Sequence, residues 1–185
     1  SKSMLKIAKS KLKNINSNFK FQEINAESIP YDDNTFDIVI AQHMIYFVPD
    51  IEQALNEIRR ILVPGGIFYV TANSSDSMKE LNELVNDFDS NSGLNSNGYS
   101  TRFELENGTD ILKKYFNKVD VEILNGKIIV NDPKPVVEYK ASTIQGSSIL
   151  VGEKKKEFTK YVQDYIDKNK EISITTKTCM FKAEK

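Results

Sequence analysis

The chain has 185 residues, 39% hydrophobic and 28% charged, which suits one globular domain with a sizeable core and excludes disordered and collagen-like classes. Its 25 basic and 26 acidic residues leave a net charge of −1, so no domain-wide positive field draws it to phosphate backbones and nucleic acid is not an expected partner. The apolar runs are too short to cross a bilayer, no signal-peptide core is present, and the single cysteine, Cys179, permits no internal disulfide; these features predict a cytoplasmic protein with no membrane partner.

In chain order, Met4, Leu5, Ala8 and Leu12 fall at helical spacing among lysines, predicting an amphipathic helix over Ser1 to Lys13 that packs on a sheet. Phe19 to Asn25 reads as a short strand. In the loop that follows, Pro30 disfavours helix at Ile29, and Asp32-Asp33-Asn34 favours turns. Phe36 to Ala41 has no polar alternation after Asp37, which predicts a strand buried on both faces in a parallel sheet. Ile51, Ala54, Leu55, Ile58 and Leu62 then form one apolar stripe, and Asp50 is placed to cap the helix that carries it. Pro64-Gly65-Gly66 ends this helix and turns the chain into the strand Ile67 to Ala72, completing a strand-helix-strand unit with a right-handed crossover.

Met78, Leu81, Val85 and Phe88 mark a further helix, and residues 89–103, rich in Asn, Ser and Gly, read as a mobile surface loop. Thr109 to Phe116 is expected to be helical. Val119 to Ile123 alternates as a strand, with Asn125-Gly126 as a hairpin-like turn into Lys127 to Val130. Asp132-Pro133 opens a helix to about Ser142, Glu153 to Lys170 forms a long amphipathic helix, and Ile172 to Lys182 closes the chain as a strand. The order of elements is α/β.

Several of these segments carry a resemblance. Asn25-Ala26-Glu27-Ser28-Ile29-Pro30-Tyr31 followed by Phe36-Asp37, the Val63-Pro64-Gly65-Gly66 turn, and Ser1-Lys2-Ser3-Met4-Leu5 with Ala8 resemble the second half of class I S-adenosylmethionine-dependent methyltransferases. The resemblance implies a Rossmann-like sheet of order 3-2-1-4-5-7-6, with strand seven antiparallel. Phe19 to Asn25 then becomes strand three, Phe36 to Ala41 strand four, Ile67 to Ala72 strand five, Val119 to Ile123 strand six and Ile172 to Lys182 strand seven. The family's glycine-rich cofactor loop has no counterpart in the sequence, so residues 1–185 read as a single truncated methyltransferase domain in which strands one and two are missing and a variable substrate cap falls within residues 104–170.

The same resemblance implies S-adenosylmethionine as cofactor and a small-molecule substrate. Asn25 stands where the family usually has an adenine-binding Asp, and its amide oxygen can still accept. The Ala26 N–H would donate to the adenine ring, Met4 would pack on its face, and Ala41, Gln42 and His43 would lie beside the methionine part. His43, the sole histidine, is the candidate catalytic base for an acceptor that must lose a proton. Tyr46, Tyr99, Arg102 and Tyr139 are candidate substrate contacts, and no metal site is expected. Without strands one and two, strand four keeps an unpaired edge, to be covered by strands of another protomer in a homodimer, by strand three moved beside it, or by an upstream segment outside this sequence. The competing reading is a truncated or strand-exchanged chain that binds no cofactor and acts as a scaffold or is inactive.

Overall fold

The computed structural model describes residues 2–15, 18–94 and 100–185. Four strands, β1 (Phe36–Gln42), β2 (Leu62–Asn73), β3 (Lys118–Val130) and β4 (Ile172–Glu184), form one sheet in the order β1-β2-β4-β3. β1 and β2 are parallel, and β4 runs antiparallel to both of its neighbours. This is the 4-5-7-6 portion of the expected topology, with the last strand inserted between the second and third. Seven helices accompany it among the described residues: α1 (Lys2–Leu12), α2 (Ile51–Ile61), α3 (Lys79–Phe88), α4 (Leu105–Leu112), α5 (Pro133–Ser142), α6 (Gly146–Ile149) and α7 (Gly152–Asn169). None is long and apolar enough to cross a membrane.

The β1-α2-β2 unit follows from local chemistry. The Asp50 carboxylate accepts from the Gln53 N–H at 2.9 Å, which satisfies one of the helix's orphan donors. The apolar stripe then buries Ile51, Ala54, Leu55, Ile58 and Ile61. Arg59 and Arg60 occupy the last turn, where cations favour the helix dipole. Gly65 takes φ 76°, a left-handed conformation that glycine tolerates best, and returns the chain to the sheet.

Two cores lie on opposite faces of β4. Because alternate side chains leave a strand on opposite sides, Ile172 and Ile174 enter a core with α3, α5 and α7, whereas Cys179, Phe181 and Ala183 enter a core with α2, β2 and α4. A 13-residue β4 therefore ties both halves of the molecule together.

Several expectations change. Phe19 to Asn25 does not form a strand: among the described residues no strand lies beside it, and only an isolated bridge joins Asn25 to Ser28. Extended chain becomes a strand only when a neighbour receives its hydrogen bonds. β1 is buried on one face, not two, and Ile38 and Ile40 are 54% and 63% exposed. α1 buries no residue, with Met4 71% exposed, because an amphipathic stripe does not ensure that a surface lies beneath it.

Asn125-Gly126 makes no turn. It lies inside continuous β3, paired from Lys118–Glu184 to Val130–Ile172, and a Cβ on Gly126 would stand 2.5 Å from Thr176 Oγ1. Glycine here provides room for a close neighbour, and thirteen consecutive pairs outweigh the local turn preference. α4 begins four residues before the expected Thr109, because Glu104 and Asn107 form a reciprocal capping box.

Candidate functional site

The chain between Asn25 and Thr35 is fastened to α2 by a polar clamp. Glu27 Oε1 accepts from the Asp50 N–H at 2.7 Å, and Glu57 Oε2 accepts from the Ile29 N–H at 2.8 Å. Arg60 donates to both Glu57 oxygens, to the carbonyls of Ile29 and Tyr31, and to Asp33. The Arg60 guanidinium and the Ile29 N–H together hold the Glu57 carboxyl down at about 2. A short loop thus gains a fixed path beside β1.

That path and β1 enclose an apolar groove of about 330 Å³ lined by Ala26, Ile29, Val39, Ala41, Met44 and Ile58 among others. Ala26 is half-buried and Ala41 buried. Asn25 occupies a tight turn in which its Oδ1 accepts from the Glu27 N–H at 3.1 Å, and the oxygen's second lone pair can still take a ligand donor. Gln42 and His43 follow at the carboxyl end of β1, both exposed. His43 has φ 47°, and its N–H donates to Thr71 Oγ1 at 3.0 Å. Met4, on α1, lines neither recess described here.

A second recess, about 340 Å³, opens beyond the carboxyl end of β2. Tyr46, Asn73, Ser74, Glu104, Tyr139 and Lys140 contribute to its walls. Tyr46 is 9% exposed, and burial pushes its phenol up. Tyr139 stands half in solvent. Arg102 lies outside this lining: its guanidinium donates to the carbonyls of Tyr46, Val48 and Pro49, at 3.3, 2.8 and 2.6 Å, and so fixes the turn after β1. Tyr99 lies outside the described residues.

The sequence reading missed three polar groups in this recess. Lys140 is only 5% exposed, and its Nζ donates to Asn82 Oδ1 at 3.1 Å; burial lowers its pKa from the usual lysine value. Burial, followed by the nearby Glu106 charge, raises the Glu104 carboxyl. Buried Ser74 donates to Glu106 Oε1 at 2.5 Å. Although burial pushes Glu106 upward, bonds from Ser74 and the Ser75 N–H hold it below the ordinary glutamate value. A signal for Lys140 was present, since it follows buried Val136 and Val137 by four and three residues, on the same helix face. Glu104 and Ser74 carried no such mark.

With this geometry in place, comparison with known proteins is informative. Residues 1–70 match the family described as "Methyltransferase domain". The ubiquinone/menaquinone biosynthesis C-methyltransferase UbiE of Pasteurella multocida is 36% identical over 86 residues, 45% of this chain and 32% of its own length. That of Cronobacter sakazakii is 39% identical over 83 residues, 44% of this chain and 33% of its own. The matched segments thus span about a third of these relatives. A Bacillus halodurans protein provisionally named a methyltransferase superposes with TM-score 0.66 at 17% identity, covering 100% of this chain and 79% of its own. The cyclase SpnF superposes with TM-score 0.52 at 20% identity, covering 99% and 64%.

The chain is therefore similar in sequence to methyltransferases over residues 1–70, and over its whole length it shares the fold of the Bacillus halodurans protein. Fold alone does not set the reaction, as the cyclase illustrates. Small Ala26 and Ala41 leave a groove with apolar walls, and Asn25, next to Ala26 in the chain though outside the groove lining, retains an acceptor lone pair, an arrangement compatible with the adenine end of S-adenosylmethionine.

Proposed function

We propose that the chain takes part in methyl transfer from S-adenosylmethionine to a small-molecule acceptor. The observation that carries this reading is the family match over residues 1–70, which includes Asn25, Ala26 and Ala41, two of them lining one groove that runs along β1 from Phe36 to Ala41. In open α/β sheets ligands bind beyond the carboxyl ends of the strands. Asn25 and Ala26 hold the adenine edge, Ala41, Gln42 and His43 flank the methionine portion, and Met4 covers the adenine face if α1 folds inward. His43 is a candidate proton acceptor, and Tyr46, Tyr99, Arg102 and Tyr139 belong to the acceptor side. The UbiE relatives are named as C-methyltransferases, which makes a carbon acceptor one class to test.

Calorimetric titration of S-adenosylmethionine into the chain tests the reading. Saturable binding that weakens in Asn25→Ala is expected. No binding by this chain or by a version extended upstream by about 30 residues, one strand-helix-strand unit, would remove the methyltransferase reading and favour the scaffold. One observation supports a homodimer as a second feature: Ile38 and Ile40 expose an apolar face on the edge strand β1. Light scattering that gives a monomer mass at all accessible concentrations would dismiss it.

A further inference from the structure

The recess beyond β2 holds a lysine in an unusual place. Long cationic side chains ordinarily keep their heads in water, yet Lys140 is 5% exposed on a helix face shared with Val136 and Val137. The surrounding backbone is built tightly around it. Its carbonyl accepts from Thr143 Oγ1 at 2.7 Å, Thr143 Oγ1 in turn accepts from the Gly146 N–H at 3.0 Å, and a Cβ on Gly146 would lie 1.7 Å from that carbonyl oxygen. Only glycine permits this return of the chain over the end of α5. Lys140 Nζ is directed to Asn82 Oδ1, a neutral acceptor on α3, and Lys140 and Asn82 both line the recess.

Glu104 lines the same recess from the start of α4. A volume of about 340 Å³ that, among the described residues, carries one cationic and one carboxyl side chain selects by charge at two points. Neutral serines, asparagines and tyrosines form much of the remaining polar wall.

We propose that this recess is the acceptor subsite, and that it takes a small molecule bearing an anionic group, held by Lys140, together with a proton-bearing acceptor atom that faces Glu104. The inference rests on the methyl-transfer reading for its chemistry, although the anion subsite stands on the recess alone. The bound cofactor supplies an electrophilic methyl carbon. The acceptor's electron pair forms the new bond to that carbon, the carbon–sulfur bond breaks with its pair retained by sulfur as the neutral thioether of S-adenosylhomocysteine, and the proton released by the acceptor atom passes to the Glu104 carboxylate. Burial disfavours the charged form of that carboxyl and so makes it a better base than an exposed glutamate.

The test uses binding and needs no turnover. Benzoate and 4-aminobenzoate, each with its primary amide, are titrated into the unmodified chain by ligand-observed NMR. The carboxylates are expected to bind at least about tenfold tighter than the amides, with 4-aminobenzoate tighter than benzoate. Lys140→Met, which keeps most of the stem volume, should abolish the carboxylate preference, and Lys140→Arg should keep it. Glu104→Gln should reduce the advantage of the amino compound while leaving the carboxylate preference intact. Equal binding of acids and amides, absence of binding by all four probes, or a preference untouched by Lys140→Met would overturn the assignment and leave Lys140 as a brace between α5 and α3. Should Lys140→Met fail to fold, the acid-to-amide ratio in the unmodified chain still decides. S-adenosylhomocysteine titrated in parallel into this chain and a version extended upstream by about 30 residues separates the two conclusions: carboxylate preference without nucleoside binding by either would remove the methyl-transfer reading and keep the subsite, and the converse would do the opposite.

Discussion

Glu57→Ala tests whether the clamp on α2 gives the loop between Asn25 and Thr35 its shape. Glu57 accepts from the Ile29 N–H at 2.8 Å and from Arg60 at 2.8 and 2.9 Å, so the substitution removes three charge-assisted hydrogen bonds and leaves Arg60 with Asp33 and two carbonyls. The Glu57 side chain is 16% exposed and that of Arg60 31%, so solvent screens part of their attraction. The depression of Glu57 from 4.5 to about 2 corresponds to at most about 3 kcal/mol, which screening reduces to about 1–2 kcal/mol.

The sign follows from linkage. Because the folded-state value lies below the unfolded one, this contribution is fully present above about 4.5 and fades as pH falls toward about 2. Urea unfolding at pH 7 should give Glu57→Ala a loss of about 1–2 kcal/mol, with little change in the denaturant slope. Between pH 4.5 and 2 the unmodified chain should lose more stability than the variant, so the two curves converge. A difference that stays constant down to pH 2, or no difference at pH 7, would refute the role assigned to this carboxylate.

Three further outcomes are expected. Gly108→Ala should lower stability by about 1–3 kcal/mol in urea melts, since its Cβ would stand 2.5 Å from Cζ of the fully buried Phe181 ring, and an unchanged midpoint would contradict that packing. Phe68→Ala should cost about 3–5 kcal/mol, because it empties a fully buried site stacked on Phe116 at 5.7 Å; thermal unfolding measures it, and a loss below about 1 kcal/mol would mean that the core collapses to fill the space. Arg102→Ala should speed hydrogen exchange at the Phe47 and Val48 amides at least about tenfold while sparing β2, since it frees the Tyr46, Val48 and Pro49 carbonyls and so loosens the turn in which those amides bond the Met44 and Ile45 carbonyls; uniform protection in both regions would make that anchor dispensable.

Some parts of the molecule were legible in the residues because their causes are local. The α2 stripe from Ile51 to Ile58, Asp50 at its cap and Asp132 before Pro133 each depend on neighbours within a few positions and appear where they were expected, whereas the helix ends at Ile61 and Leu62 and Pro64-Gly65-Gly66 lie inside β2. The sheet order came from the family resemblance rather than from periodicity, since a parallel pair and an inserted antiparallel strand leave no local mark.

Where long-range pairing competes with local preference, the tertiary structure prevailed. Asn125-Gly126 had the composition of a turn, yet β4 held it straight; Phe19 to Asn25 had the composition of a strand and lacked a neighbour among the described residues. The recess of Lys140 and Glu104 is the clearest case, because it joins residues 36 positions apart through the packing of α3, α4 and α5. By itself, then, the amino-acid sequence determined the α/β class, the starts of the Asp-capped helices α2 and α5 and the likeness to methyltransferases, since those rest on short-range chemistry and motif. Only the tertiary structure decided which strand faces stay open and which charges meet in one cavity, since burial and electrostatic environment are properties of the assembled chain.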